Sequence, residues 1–409
     1  MMVQAGSGLP GYAWSGRPER EARRGAVRAI LQRTQGGRGR RIPPALRALS
    51  VAFFLYVFLV GVASLELGIK LLGSDFEQDI LSRADNPIAA VCAGVLATVL
   101  VQSSSVTTST IVGLVGSGAL GVDAAVPLVM GANIGTTVTN TLASLGSAGR
   151  NEEFRRAFAG ATMHDFFNLI CVVVFLPLEL TTGLLSGTAE GVADLLGGNV
   201  QGGSADSPVK RLVKEPAKQI EALLERVFDS EQLMGIILLA AGLLFIFVAL
   251  VLLTRNMRRL ISGRIEASMN RMVARGGGVV GIATGAVVTV GVQSSSITTS
   301  ILVPMVGSGV LTLRNAFPIT LGANLGTTVT ALLASLAVDL RAGLAIALTH
   351  ALFNLFGIVL IYPIRAVREV PIRAAEILAE NAVRNRSVVA VYILGAFVGG
   401  PLLGLLVFS

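Results

Sequence analysis

Long apolar runs alternate with short polar islands along this chain. Runs of the length that crosses a bilayer as one helix, about 20 residues, occupy Val51–Leu72, Phe158–Leu180, Leu233–Leu253, Leu344–Tyr362 and Val388–Phe408. Each predicts a membrane-spanning helix. Two further apolar blocks, Ile88–Leu145 and Val279–Val338, are too long for one crossing. Both are interrupted twice by amides and hydroxyls, which no apolar environment favours without partners. Composition agrees with a membrane setting: of 409 residues, 53% are hydrophobic and 14% charged, with a mean hydropathy of +0.72.

The polar islands are written twice. "QSSSVTTSTIVGLVGSG" from Gln102 returns as "QSSSITTSILVPMVGSG" from Gln293, identical at twelve of seventeen positions with an offset of 191. At the same offset Pro127 matches Pro318 and "GANIGTTVT" matches "GANLGTTVT". Further on, "MHDFFN" from Met163 pairs with "THALFN" from Thr349 after the second copy loses five residues. One ancestral unit has been duplicated.

Charge orients the copies. The net charge of +8 comes mostly from arginines between the runs, in clusters at Arg17–Arg47, Arg255–Arg275 and Arg365–Arg386, which the positive-inside rule places in the cytoplasm. The first helix then runs outward and the acidic stretch "GSDFEQDILSRAD" lies outside. Leu233–Leu253, its counterpart, is followed by arginines and runs inward, so the copies are inverted, as in many secondary transporters. "GRNEEFRR" from Gly149 is basic enough to lie inside. The block Ile88–Leu145 therefore crosses an odd number of times. With Val122–Leu145 as one crossing, Ile88–Leu120 must dip in and return, a re-entrant helical hairpin tipped by QSSS; Val279–Leu311 follows the same logic.

The expected fold is an all-α polytopic membrane protein with two inverted repeats, each holding a re-entrant hairpin and an unwound transmembrane helix. Residues 1–49 form a disordered basic cytoplasmic tail without a cleavable signal. Residues 50–180 are the first repeat, 181–231 an external connector with a surface helix near Leu212–Phe228, and 232–364 the second repeat. Residues 365–387 are a cytoplasmic amphipathic segment and 388–409 a last spanning helix. Cys92 and Cys171 both fall in apolar runs and imply no disulfide framework.

The islands carry the candidate chemistry. A turn at mid-membrane exposes backbone groups that must be satisfied or line a cavity. Gln102, Ser103, Ser104 and Ser105, with Gln293, Ser294, Ser295 and Ser296, supply more donors than a turn needs. Helix starts beside serines suit an oxyanion, and with no lysine or arginine in the tips a cation should enter with it. Asn133, Thr136, Thr137, Asn324, Thr327, Thr328 and Thr330 offer oxygen ligands for a hard cation, sodium or a proton. Asp165 and Asn168 share a helical face. An intramembrane carboxylate marks a functional site, and Ala351 stands in its place in the second copy, so that cation site belongs to the first. No G-x-S-x-G surrounds Ser103 and no P-loop lysine follows the glycines, which disfavours hydrolysis and ATP-driven pumping. The basic tail has few aromatics for stacking on bases, so no nucleic-acid partner is expected.

From about Ser50 to Pro363 the two QSSS motifs, the "GANIGTT"-like islands, "EFRRAFAGATMHDFFN" and "FLPLE" closely resemble the type II sodium/phosphate cotransporters. The resemblance implies inorganic phosphate as substrate, held by the QSSS tips, sodium as the co-transported ion, and no enzymatic activity. It implies an electrogenic role for Asp165, and a second sodium site at Asn168, Thr327 and Thr330. Animal members carry a glutamine and an aspartate near positions held here by Ser147 and Arg150. The connector also lacks the cysteines and glycosylation sequons of animal members, which implies a bacterial inner-membrane protein. Another oxyanion such as sulfate, or an anion channel, stays open as an alternative, as does the oligomeric state.

Overall fold

A computed structural model describes residues 43–73, 86–197, 208–275, 278–338 and 340–408. Most of the basic tail, the acidic stretch after Gly73 and the Gly/Ser-rich middle of the connector lie outside the described residues. Every regular element among the described residues is helical. In chain order they are α1 (Pro44–Leu72), α2 (Pro87–Val101), α3 (Ser104–Ser117), α4 (Val122–Gly135), α5 (Val138–Ser144), α6 (Asn151–Thr182), α7 (Leu184–Gly197), α8 (Pro208–Leu224), α9 (Glu231–Arg275), α10 (Val279–Val292), α11 (Ser295–Gly307), α12 (Leu313–Ala334), α13 (Leu340–Ile361), α14 (Arg365–Arg384), α15 (Ser387–Leu394) and α16 (Gly400–Phe408). A π-helical turn, Gly395–Gly399, joins the last two. Among the described residues, six stretches are long and apolar enough to cross a membrane: Ala45–Leu72, Asn151–Thr182, Glu231–Arg258, Leu313–Ala337, Arg341–Ile361 and Ser387–Phe408.

Glycine lets the helices approach. A Cβ placed on Gly61 would lie 3.0 Å from Gly242 O, and one on Gly68 would lie 2.8 Å from Gly235 O. Gly61 thus meets Gly242 while Gly68 meets Gly235, so α1 and α9 pass in opposite directions along their contact. Association of helices in lipid rests on such close backbone packing rather than on hydrophobic burial. The later helices repeat the pattern: Phe167 and Cys171 pack on Gly357, and Phe175 on Phe353, so α6 and α13 also run oppositely.

Within each copy a different pair runs side by side in the same direction. On α2 and α4, a Cβ on Gly131 would sit 2.0 Å from Val91 O and one on Gly135 2.7 Å from Val95 O. On α10 and α12, Gly322 would meet Ile282 O at 1.9 Å and Gly326 would meet Ala286 O at 2.7 Å. The intervening α3 and α11 bring the chain back. With 15 and 14 residues, α2 and α3 extend only about 22 Å at 1.5 Å per residue, short of a bilayer core of about 30 Å.

The glycines of "GANIGTT" therefore serve packing, and the expected unwound turn is corrected accordingly. In the first copy it is a two-residue break at Thr136 and Thr137, both still with right-handed helical backbone. In the second copy α12 runs through Gly322–Thr330 unbroken. Thr327 and Thr328 donate their hydroxyls to Ala323 O at 3.1 Å and Leu325 O at 2.7 Å, so no peptide group needs to leave the helix.

The amphipathic helices exchange partners between copies. α7, which was not expected, buries Leu185, Ala189 and Ala193 and packs on α13. Its start is held by Glu179, whose carboxylate accepts from Leu185 N at 2.6 Å and Ser186 N at 3.1 Å. α14 buries Ile372, Ala375, Ala379 and Ala382 and packs on α6. Arg314 donates to Glu369 at 2.6 and 2.9 Å, holding that carboxyl below its ordinary range chiefly through these bonds. The connector helix α8 ends before Val227 and Phe228, which do not share its face as expected. It turns Val213 and Ala217 inward and leaves Leu212 and Leu223 exposed. Lys214 reaches the buried Glu66 at 3.3 Å, joining Lys70 at 2.6 Å.

Gly322→Val is expected to abolish recovery of folded, monodisperse protein in detergent, since the new side chain would overlap the backbone of α10. Gly187→Ala, in an exposed turn of α7 with nothing within 4 Å, should leave the thermal unfolding free energy within about 0.5 kcal/mol of the parent.

Candidate functional site

The QSSS motifs divide their labour. Gln102 and Gln293 are the two non-glycine residues with positive φ among the described residues, at 57° and 58°. This left-handed backbone disfavours any side chain bearing a Cβ, and each glutamine offsets the strain in the same way. Gln102 Nε2 donates to Val99 O at 2.6 Å and its Oε1 accepts from Thr139 Oγ1 at 3.2 Å. Gln293 Nε2 donates to Val290 O at 2.6 Å and its Oε1 accepts from Thr330 Oγ1 at 3.1 Å. The glutamines thus cap the incoming helices and tie one turn to α5 and the other to α12.

The first serine starts the outgoing helix. Ser103 Oγ accepts from Val106 N at 3.3 Å, and Ser294 Oγ from Ile297 N at 3.4 Å, as N-caps. A hydroxyl bridge then staples each helix pair: Thr98 to Thr107 at 3.0 Å and Thr289 to Thr298 at 2.8 Å. Ser104, Ser105 and Ser295 are left in the first turns, buried, and Ser295 Oγ reaches no partner among the described residues. Ser296 is half-buried. The first N–H groups of a helix lack intrahelical partners, so each turn presents backbone donors beside serine hydroxyls.

A second polar layer joins the copies. Asn168 Nδ2 donates to Asn133 O at 2.7 Å, and Asn168 Oδ1 accepts from Asn324 Nδ2 at 2.8 Å. Asn354 Nδ2 donates to Asn133 Oδ1 at 3.3 Å. Four buried asparagines from α4, α6, α12 and α13 thus form one network, with His164 and His350 fully enclosed near it on α6 and α13. Thr136 and Thr137 donate to Ala132 O at 2.9 Å and Ile134 O at 2.8 Å. Like Thr327 and Thr328 they spend only their hydrogens, and the hydroxyl oxygens keep lone pairs that a cation can use.

Asp165 is a buried carboxylate, 6% exposed. Its Oδ2 accepts from Tyr392 OH at 2.5 Å and Thr141 Oγ1 at 3.4 Å, while Oδ1 has no partner among the described residues. Nearby, Asn140 Oδ1 accepts from Thr299 Oγ1 at 2.8 Å and Ser300 Oγ at 3.4 Å, linking α5 of the first copy to α11 of the second. The structure therefore brings Asn133, Asn168 and Asn324 together, sets Thr330 against Gln293 instead, and places Asp165 with residues that sequence reasoning passed over. Asn354 had a signal, as the repeat partner of Asn168. Asn140 and Tyr392 lack repeated counterparts, and their signal was only that of a polar group in an apolar run. A cavity of about 540 Å³ lies elsewhere, lined by Leu145, Phe154, Val389 and other apolar groups together with Arg386. Ser147 and Arg150 both bond to Glu153, at 3.2 and 2.7 Å, away from the asparagine network.

The family model described as Na+/Pi-cotransporter matches residues 57–181 and 232–369. The chain is 34% identical over 417 residues to "Sodium-dependent phosphate transport protein 2A" of Ovis aries, covering 84% of the chain and 65% of that protein. It is 35% identical over 417 residues to the 2A protein of Oryctolagus cuniculus, covering 84% of the chain and 64% of the relative. With "Sodium-dependent phosphate transport protein 2B" of Homo sapiens it shares 33% over 444 residues, 87% of the chain and 64% of the relative. The chain thus spans somewhat under two thirds of the length of these curated relatives. No solved structure matches it.

Replacing Gln102 tests the strained turn. Gln102→Gly should cost about 1–2 kcal/mol through its lost hydrogen bonds. Gln102→Val, which loses the same bonds and must hold a β-branched residue at positive φ, should cost at least about 1 kcal/mol more. Equal melting temperatures for the two variants in detergent would show that the turn imposes no such backbone.

Proposed function

The chain belongs to the Na+/Pi-cotransporter family, and from that membership and the geometry above we propose that it is a sodium-coupled symporter of inorganic phosphate. It is an integral, multi-pass membrane protein, nearly all helical. The reading is carried by one observation: two buried helix starts, each capped by the first serine of a QSSS motif, hold further serines in their first turns, of which Ser295 Oγ has no partner among the described residues.

The topology belongs to the proposal. Oppositely running α1 and α9, and α6 and α13, support inverted repeats. Same-direction packing of α2 with α4 and of α10 with α12 supports re-entrant hairpins whose tips are the QSSS turns. The arginine clusters support cytoplasmic placement of residues 1–49, and the connector's lack of the cysteines and glycosylation sequons of animal members supports a bacterial inner membrane.

In this reading Ser104, Ser105, Ser295 and Ser296, with the N–H groups of the first turns of α3 and α11, hold the phosphate. Gln102, Gln293, Ser103 and Ser294 shape those turns. The partial positive charge of a helix start favours an anion there, yet the tips contain no full positive charge. Sodium supplies it. Asp165 Oδ1 takes one sodium ion, and oxygens of Asn133, Asn168, Asn324, Thr136, Thr137, Thr327, Thr328 and Thr330 line a second path for the ion. Each net charge moved inward across 100 mV contributes about 2.3 kcal/mol of drive.

The experiment is phosphate uptake by the purified chain in liposomes, with sodium gradient and voltage set independently. Sodium-dependent accumulation is expected. Uptake that runs down the anion gradient without sodium would mean a channel, and full competition by sulfate would mean a broader oxyanion carrier. Ser104→Ala and Ser295→Ala should each weaken half-saturation by phosphate about fivefold or more, the worth of one hydrogen bond. Asp165→Gly should lower the charge moved per phosphate; an unchanged current-to-uptake ratio would remove Asp165 from the ion path.

A further inference from the structure

Between Val388 and Phe408 the last helix carries a single side chain with a hydrogen-bonding group, Tyr392. The helix is otherwise a lipid-facing span, with Val391, Leu394, Leu403, Leu406 and Val407 all exposed, and it lies beyond the residues that the family model matches. Packing alone needs no hydroxyl here. Yet the hydroxyl is aimed at the one buried carboxylate of the polar islands, donating to Asp165 Oδ2 at 2.5 Å.

The aim is fixed by its surroundings. The ring of Tyr392 is held edge-on by Phe158, with centroids 6.2 Å apart, and by Phe397 at 6.0 Å. One and a half turns earlier, Arg386 fastens the start of α15 to the start of α6. It donates to Asn151 Oδ1 at 2.7 Å and Ala148 O at 3.2 Å, and lies 4.1 Å over the Phe154 ring. The helix can neither slide nor turn without breaking these contacts.

Tyr392 and Thr141 donate to Oδ2, Thr137 lies beside the same carboxylate while donating to Ile134 O, and Oδ1 has no hydrogen-bond partner among the described residues. We propose that Tyr392 is a positioning residue for the Asp165 cation site: by holding Oδ2 it presents Oδ1 to a single monovalent cation. The inference rests on the reading of Asp165 as a sodium ligand. It makes the last helix part of the transport site through a hydrogen bond, and the tyrosine itself does not touch the ion. Without the hydroxyl the carboxylate is free to rotate about its own axis, and sodium must pay to orient it.

The test compares the full chain with Tyr392→Phe, Thr141→Val, Asp165→Asn and the Tyr392→Phe/Asp165→Asn double variant, all in liposomes and in detergent. Phenylalanine keeps both ring contacts. Tyr392→Phe is expected to raise half-saturating sodium about tenfold, the worth of a hydrogen bond to a charged group. Half-saturating phosphate at saturating sodium, and the charge moved per phosphate, should not change. The sodium concentration needed to raise the melting temperature in detergent should shift by the same factor, and Thr141→Val should shift it less in the same direction. On the Asp165→Asn background the phenylalanine should add nothing. Parental sodium dependence in both Tyr392→Phe and Thr141→Val, whatever the maximal rate, overturns the proposal, as does an equal tyrosine effect on the Asp165→Asn background. If Asp165→Asn itself leaves sodium dependence and charge movement intact, it is the assignment of Asp165 that fails.

Discussion

A helix that begins among buried groups must find partners for atoms that water would otherwise satisfy, and the QSSS turns do this with residues from their own motif and from α5 and α12. Gln102 and Gln293 accept a backbone conformation that costs about 1–2 kcal/mol because each side chain ties the turn at two points. Ser103 and Ser294 then satisfy one N–H of the next helix apiece. Once the turn is secured this way, the remaining serines and N–H groups are surplus to it. That surplus is what an anion can use, and the rest of the assembly serves to hold the two turns in place.

Close helix packing provides the holding. Backbone contacts at Gly131, Gly135, Gly322 and Gly326 leave no room for a side chain, so each turn is set against a rigid neighbour. The same helices carry the asparagines, and their network spans both copies. A duplicated sequence would by itself yield two equal halves. The equality holds for the glutamine ties and the threonine staples, and fails where charge enters: Asp165 faces Ala351 in the repeat register, and Asn140 faces Ala331. The proposed anion site at two similar turns, with a cation site in one copy only, rests on this partial symmetry.

Much of this was legible beforehand. The spanning helices, the short pairs at the QSSS motifs and the amphipathic helix after Arg365 follow from hydropathy and period, which depend on neighbouring residues. The unwound turns did not follow. Glycine and threonine in an apolar run signal either a broken helix or a tightly packed one, and α12 took the second course because its hydroxyls bond one turn back along the same helix. The helix α7 was overlooked because its face is made of small residues, Ala189 and Ala193 beside Leu185, whose burial depends on α13 lying against them.

Sequence alone determined that the chain is a membrane protein with duplicated hydroxyl-rich motifs and an aspartate within an apolar run, because hydropathy, repetition and residue chemistry are properties of the linear string. Tertiary structure alone decided which of those polar groups meet. Asn140 and Thr299 lie 159 positions apart, and Asp165 and Tyr392 lie 227 apart; neither pair shares a motif, a period or a repeat partner. They come together because glycine-lined helices pack at backbone contact, and a buried polar atom then takes the partner that this packing delivers.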